Sequence, residues 1–139
     1  MNEFELDERL YKDTVKLTRW PLCEVLLMNA EPFPWVILVP RKPGIREIFE
    51  LSEQEQVQLL RESSVLGQEL MRQFSGDKLN VAALGNVVSQ LHVHHVVRFK
   101  SDICWPAPVW GNFSAQPYSA EALEARIKQL NVLSERVWD

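Results

Sequence analysis

Residues 89–98 read Ser-Gln-Leu-His-Val-His-His-Val-Val-Arg, and all three histidines of the 139-residue chain fall inside this run, as His92, His94 and His95. The surrounding residues are apolar or β-branched, which predicts a strand. On a strand alternate side chains share a face. Gln90, His92 and His94 are therefore expected on one side, about 6–7 Å apart. Leu91, Val93 and His95 are expected on the other. A polar row backed by an apolar row suggests one face on a core and one face open to a ligand.

The remaining segments fit a sheet built on such a strand. Residues 22–29 read as a strand, 31–34 as a turn whose two prolines forbid regular pairing, and 35–39 as an apolar strand ended by Pro40. The two strands suggest a hairpin. Ser52 with Glu55 is a capping-box pattern and opens the strongest helix. Val57, Leu60, Ser64, Gly67, Met71 and Phe74 follow at helical spacing, widened by Leu59, Leu66 and Leu70. Gly67 lies on that stripe at a cost of about 1 kcal/mol in helix propensity. It predicts close contact with the sheet. Residues 75–77 end the helix and 78–85 read as a strand. Residues 5–13 are expected as a short amphipathic helix with Leu6 and Leu10 on one side. Residues 102–117 hold Trp105, Trp110 and several prolines, so an ordered irregular loop is expected. Ser119 should cap a final helix over about 119–137 with Leu123, Ile127, Leu130, Leu133 and Val137 inward. This order gives an α+β domain, an antiparallel sheet with helices on one face and the histidines on the other.

Bulk properties narrow the function. At 46% hydrophobic residues, 139 positions suit one domain with a proper core. A net charge of −4 argues against a broad nucleic-acid or anionic-membrane surface. No apolar stretch approaches the roughly 20 residues of a membrane span. The acidic start Met-Asn-Glu-Phe-Glu-Leu-Asp-Glu lacks the plan of a signal peptide. Cys23 and Cys104 make neither a metal-type spacing nor a disulfide framework, so both are expected to pack as small apolar groups. A cytoplasmic protein with reduced thiols is the expectation.

Three chemistries are open to the histidine row. A neutral imidazole is a good nucleophile near pH 7, and attack at phosphorus would split one displacement into two. A second imidazole two residues on could bind the phosphate or the leaving group. Alternatively, His92 and His94 supply two ligands of a metal site, which a remote carboxylate would have to complete. The third option is polar strand residues that happen to be histidine.

The run from Gly85 to His94, Gly-Asn-Val-Val-Ser-Gln-Leu-His-Val-His, resembles the signature of the histidine triad (HIT) family, His-φ-His-φ-His-φ-φ with φ apolar. Gly85 precedes Gln90 by five residues and Arg98 follows His94 by four, as in many members. Leu27-Met28-Asn29, the proline turn and residues 35–42 look like the family's first hairpin. Ile48 to Ser52 before a long helix looks like its central helix. Residues 105–111 look like the tail of a bacterial subgroup that also carries Gln-Leu-His-Val-His. The resemblance covers about residues 20–112 and implies a five-stranded antiparallel sheet with a long central helix and a C-terminal helix.

The resemblance also implies a mechanism and a set of roles. His92, in the middle position, attacks the α-phosphorus of a nucleoside phosphoester, anhydride or phosphoramidate, and water releases the monophosphate. His94, in the third position, contacts phosphate and aids departure of the leaving group. Gln90 takes the first position, where it can hydrogen-bond but cannot carry a proton. A shifted alignment would make His94 the nucleophile with Val96 third, but the positions of Gly85 and Arg98 disfavour it. No metal or cofactor is required, because the imidazole is the nucleophile. Asn29 stands where members hold ribose hydroxyls, or is simply a turn residue. Asn86 stands near a phosphate contact, with the same alternative. Trp35 replaces a histidine near the nucleotide and either stacks on a base or packs. Trp105 and Trp110 close the pocket or an interface. Arg98 pairs with phosphate or makes a surface ion pair. His95 is expected to be structural, and Arg41 and Lys42 a solvated strand end. A homodimer joined through its two sheets and a purine nucleotide substrate are implied. Gln90→His is expected to be tolerated. A nucleotide-binding module with weak or lost turnover is the second reading, favoured by Gln90.

Overall fold

The computed structural model describes residues 3–114 and 116–139. Its centre is an antiparallel sheet of five strands, β1 Thr14–Arg19, β2 Cys23–Met28, β3 Trp35–Pro40, β4 Lys78–Ala82 and β5 Val93–Arg98, in the order β1-β2-β3-β5-β4. The architecture is the expected α+β one. Strand β1 carries no element in the sequence reading. Val15 and Leu17 do alternate with Thr14, Lys16 and Thr18, but as an edge strand with a register shift it is only half-buried. Its polar positions weaken the strand signal.

Helix α1 (Glu8–Asp13) precedes β1, and the Asp7 carboxylate caps it by accepting the Arg9 amide at 2.8 Å. Helix α2 (Glu53–Phe74) crosses one face of the sheet. Both halves of its capping box form: Ser52 Oγ accepts the Glu55 amide, and the Glu55 carboxylate accepts the Ser52 amide. Its buried stripe is Leu59, Glu62, Leu66, Gly67 and Leu70, whereas Val57 and Leu60 are 64% and 68% exposed. The face is therefore rotated from the one expected. At the centre of the stripe is Glu62, a fully buried carboxylate that accepts the amides of Leu22 and Cys23 at 2.8 and 3.0 Å. A polar residue at the centre of the stripe hides it from hydrophobic periodicity. Gly67 does make the expected close approach, since a Cβ there would stand 2.6 Å from Leu79 Cδ2 on β4.

The C-terminal helix is two helices, α3 (Ala120–Gln129) and α4 (Asn131–Glu135), parted at Leu130. Ser119 caps the first as expected. Leu130 and Leu133 are buried, but Val137 is 84% exposed and the neighbouring Trp138 packs on Trp20 instead. Arg41 is not a free strand end: its guanidinium donates to the carbonyls of Trp20 and Pro21, while Lys42 pairs with Glu55.

Two apolar layers follow from strand alternation. Val25, Leu27, Val36, Leu38 and Val97 meet α2 and the C-terminal helices. Leu26, Trp35, Ile37, Val39 and Val96 face the opposite side, covered by the N-terminal arm and the loop carrying Val109. His94 lies on this second side, in register with Ile37 on one neighbour and Ala82 on the other. Among the described residues no helix is long and apolar enough to cross a membrane.

Candidate active site

Strand pairing in the histidine run starts at Val93, so His94 is held by the sheet while Gln90 and His92 sit in the extended segment before it. His92 and His94 still come together, with ring centroids 4.9 Å apart and each 7% exposed. They border a cavity of about 370 Å³ on the side of the sheet away from α2, along with Trp35, Trp110 and Asn86.

Hydrogen bonding fixes the two imidazoles in opposite tautomers. His92 Nδ1 lies 2.7 Å from the Gln90 carbonyl. A carbonyl only accepts, so in the neutral imidazole Nδ1 carries the proton and Nε2 keeps a lone pair. His94 Nδ1 lies 3.0 Å from Trp35 Nε1. An indole N–H only donates, so here Nδ1 is the acceptor and a neutral His94 carries its proton on Nε2. Burial, followed by the nearby imidazoles of His92 and His95, pulls the His94 pKa from 6.5 to about 3. Protonation at Nδ1 would set two N–H groups against each other. The site thus pairs a ring nitrogen with a free lone pair and a neutral hydrogen-bond donor.

His95 faces α2, as alternation requires. Its Nδ1 donates to the Val93 carbonyl and its Nε2 accepts from the Ser63 hydroxyl at 2.7 Å. Burial holds its pKa down at about 4. Cys23 and Cys104 are free and buried, and burial pushes the Cys23 thiol up. Among the described residues no three His, Cys, Asp or Glu side chains are gathered so as to hold a metal ion. The carboxylate that a His92–His94 metal site would need is not gathered with them.

Several expected contacts fall elsewhere. Gln90 does not continue the polar row. Its Oε1 accepts the Asp7 amide at 2.8 Å and its Nε2 donates to the Glu5 carbonyl at 2.8 Å. Its backbone carbonyl is what touches His92. Arg98 is 2% exposed, and its guanidinium binds Asp102 through two hydrogen bonds of 2.9 and 3.0 Å, with further bonds to Asn80 and Ala107. It holds the 99–107 loop and does not border the cavity. Asn29 accepts the Tyr118 amide at 2.9 Å and its neighbour Met28, not Asn29 itself, reaches the cavity. Trp35 makes its polar contact with His94, edge-on to the Trp110 ring at 5.9 Å. Trp110 borders the cavity, whereas Trp105 packs beside the Arg98 guanidinium.

The cavity also holds residues that the sequence reading missed. Arg9, Leu10 and Asp13 of α1 form part of its wall. The amphipathic pattern predicted their helix, but not that it would lie beside a strand 80 residues later.

Comparison with known proteins agrees with this fold. The HIT domain family matches residues 9–101. The match takes in most of α1 and all of β1, ahead of the region where the resemblance in sequence begins. A histidine triad protein from Marinobacter aquaeolei VT8 is 53% identical over 96% of this chain and 98% of its own, with a TM-score of 0.94. One from Bradyrhizobium japonicum is 39% identical over 99% and 100%, with a TM-score of 0.91. One from Sinorhizobium meliloti 1021 is also 39% identical, over 93% and 96%, with a TM-score of 0.89. No curated protein matches the chain. With His92 and His94 on the side of a five-stranded sheet away from α2 and a family match that spans all five strands, this chain belongs to the HIT domain family.

Proposed function

We propose that the protein is a nucleotide hydrolase or transferase that acts at the α-phosphorus of a nucleoside phosphoester, anhydride or phosphoramidate. The observation that carries this reading is the complementary tautomer pair: a free Nε2 lone pair on His92 beside an Nε2–H on His94. Family membership supports nucleotide binding and hydrolysis in general.

The chemistry follows from that pair. His92 Nε2 attacks phosphorus, the P–N bond forms and the bond to the leaving group breaks. The imidazole becomes cationic, and its Nδ1–H already points at the Gln90 carbonyl, which stabilises that charge. His94 donates its Nε2–H to a non-bridging oxygen. It does not surrender that proton, since Nδ1 accepts from Trp35 and loss would leave an imidazolate. The leaving group departs with the bonding electron pair and takes its proton from water. Water then attacks the same phosphorus and gives up a proton to solvent, the P–N bond breaks with its electron pair returning to His92 Nε2, and the nucleoside monophosphate leaves. Asn86, exposed on the loop before the histidines, reaches the phosphate from the cavity wall. Gln90 occupies the first triad position and contributes through its backbone.

Purine nucleotides, a cytoplasmic setting and a homodimer belong to the same reading. The dimer is supported by the edge that β4 leaves unpaired among the described residues and by exposed apolar side chains: Val57 and Leu60 on α2 and Val81 on β4 are 64%, 68% and 51% exposed. Light scattering tests this; Leu60→Asp should give a monomer.

The deciding test is monophosphate release from an adenosine phosphoramidate and a dinucleoside polyphosphate by wild type and His92→Ala. Release that depends on His92, with labelled nucleotide trapped on the wild-type protein, supports the reading. Monophosphate binding without release from any substrate would favour the binding module instead.

A further inference from the structure

We infer that Gln90 serves as a latch for the N-terminal arm, and that the arm carries Arg9 into the site as the cation for the ligand's phosphate. This inference rests on the nucleotide reading of the cavity.

Both halves of the Gln90 amide are used on main-chain groups of the arm, one accepting from Asp7 and one donating to Glu5. Asp7 then starts α1 by capping the Arg9 amide. Leu10 is 5% exposed and anchors the helix against the second apolar layer. Arg9 and Asp13 are left on the cavity wall. One side chain next to the histidines thus sets where a cation 81 positions earlier stands.

The charge balance of the cavity calls for that cation. His94 is held neutral by burial and by Trp35. Asp13 adds a carboxylate. Arg98 is committed to Asp102, Asn80 and Ala107. Arg9 is the one arginine or lysine among the described residues on the cavity wall. Its recorded ionic partner is Asp13 at 4.0 Å, and its side chain is 66% exposed. So loose a pair leaves the guanidinium able to turn onto a phosphate, for which its planar fork is suited. Arg46 borders a smaller cleft that shares Leu84, Gly85 and His92 with the cavity, and is the competing cation that the test must exclude.

The test is calorimetric binding of AMP and of adenosine to wild type, Arg9→Ala, Arg9→Lys, Arg46→Ala and Gln90→Ala, with hydrogen exchange at the Asp7 amide. Arg9→Ala should weaken AMP about tenfold and leave adenosine within about twofold, as loss of one charge-assisted contact predicts. Arg9→Lys should recover part of that loss. Gln90→Ala should speed exchange at Asp7 and show the same selective loss of AMP, with little further loss when combined with Arg9→Ala. Equal weakening of AMP and adenosine by Arg9→Ala would make Arg9 part of the wall only and overturn the inference. Selective loss in Arg46→Ala alone would overturn it too. Both outcomes leave the nucleotide reading standing, whereas a wild-type protein that binds neither ligand sinks that reading together with the inference.

Discussion

Trp35 donates its indole N–H to Nδ1 of His94 across 3.0 Å, from the strand that pairs directly with β5. The two residues lie in neighbouring strands, so the sheet itself sets the contact. It decides which nitrogen of His94 faces the cavity with a proton.

Trp35→Phe keeps the ring and removes the donor. His94 is then free to change tautomer, and turnover should fall about tenfold, the size of one hydrogen bond near 1.4 kcal/mol. Nitrogen NMR of the imidazoles should show the Nε2–H form of His94 in wild type at pH 7 and a mixture in the variant. Identical tautomer populations in the two proteins would remove the positioning role from Trp35.

His94 and His95 tie stability to pH with a definite sign. Their folded pKa values, about 3 and about 4, lie below the usual 6.5. Below pH 6.5 the unfolded chain takes up protons that the folded protein refuses, so stability falls as pH falls. Where the unfolded histidines are protonated and the folded ones are not, the slope approaches about 1.4 kcal/mol per pH unit for each histidine. Above pH 7 neither contributes a slope. Urea midpoints between pH 7 and 4.5 measure this, and His95→Gln should lower the slope by up to half. A midpoint unchanged down to pH 4.5 would contradict the assigned environments.

The Arg98–Asp102 pair is a structural clamp. Burial alone would raise the Asp102 pKa, but hydrogen bonds from Arg98 and from the amides of Phe99 and Cys104 hold it down at about 2. Arg98→Ala leaves that carboxylate buried without its cation and should cost about 3–5 kcal/mol by denaturant titration. Among folded molecules, AMP affinity should be retained. A stable variant with selectively weakened AMP binding would return Arg98 to the nucleotide site.

Gln90→His is expected to change the protein more than the resemblance implies. The primary amide meets an N–H and a carbonyl of the arm at 2.8 Å each. An imidazole's nitrogens point apart on a rigid ring and do not reproduce that geometry. The arm should loosen, with faster exchange at Asp7 and turnover reduced several-fold. Full activity with unchanged exchange would show that the latch tolerates the ring.

The amino-acid sequence by itself determined the layers and most of their parts. Alternation in 89–98 put His94 and His95 on opposite faces, the Ser52–Glu55 box started the long helix, and Gly67 marked where it meets the sheet. These are local properties, written in spacings of a few residues. Tertiary structure decided who touches whom. Gln90 bonds a segment 83 positions away and Asn29 one 89 positions away, and neither distance leaves a trace in periodicity. Asn29 and Arg98 are polar side chains that matched nucleotide contacts by position, yet the fold uses them to hold loops. Arg9 and Asp13 carried no motif and reach the cavity because α1 folds across the open face of the sheet. A hydrogen bond depends on which groups meet in space, and that is set only when the strands have paired and the arm has closed over them.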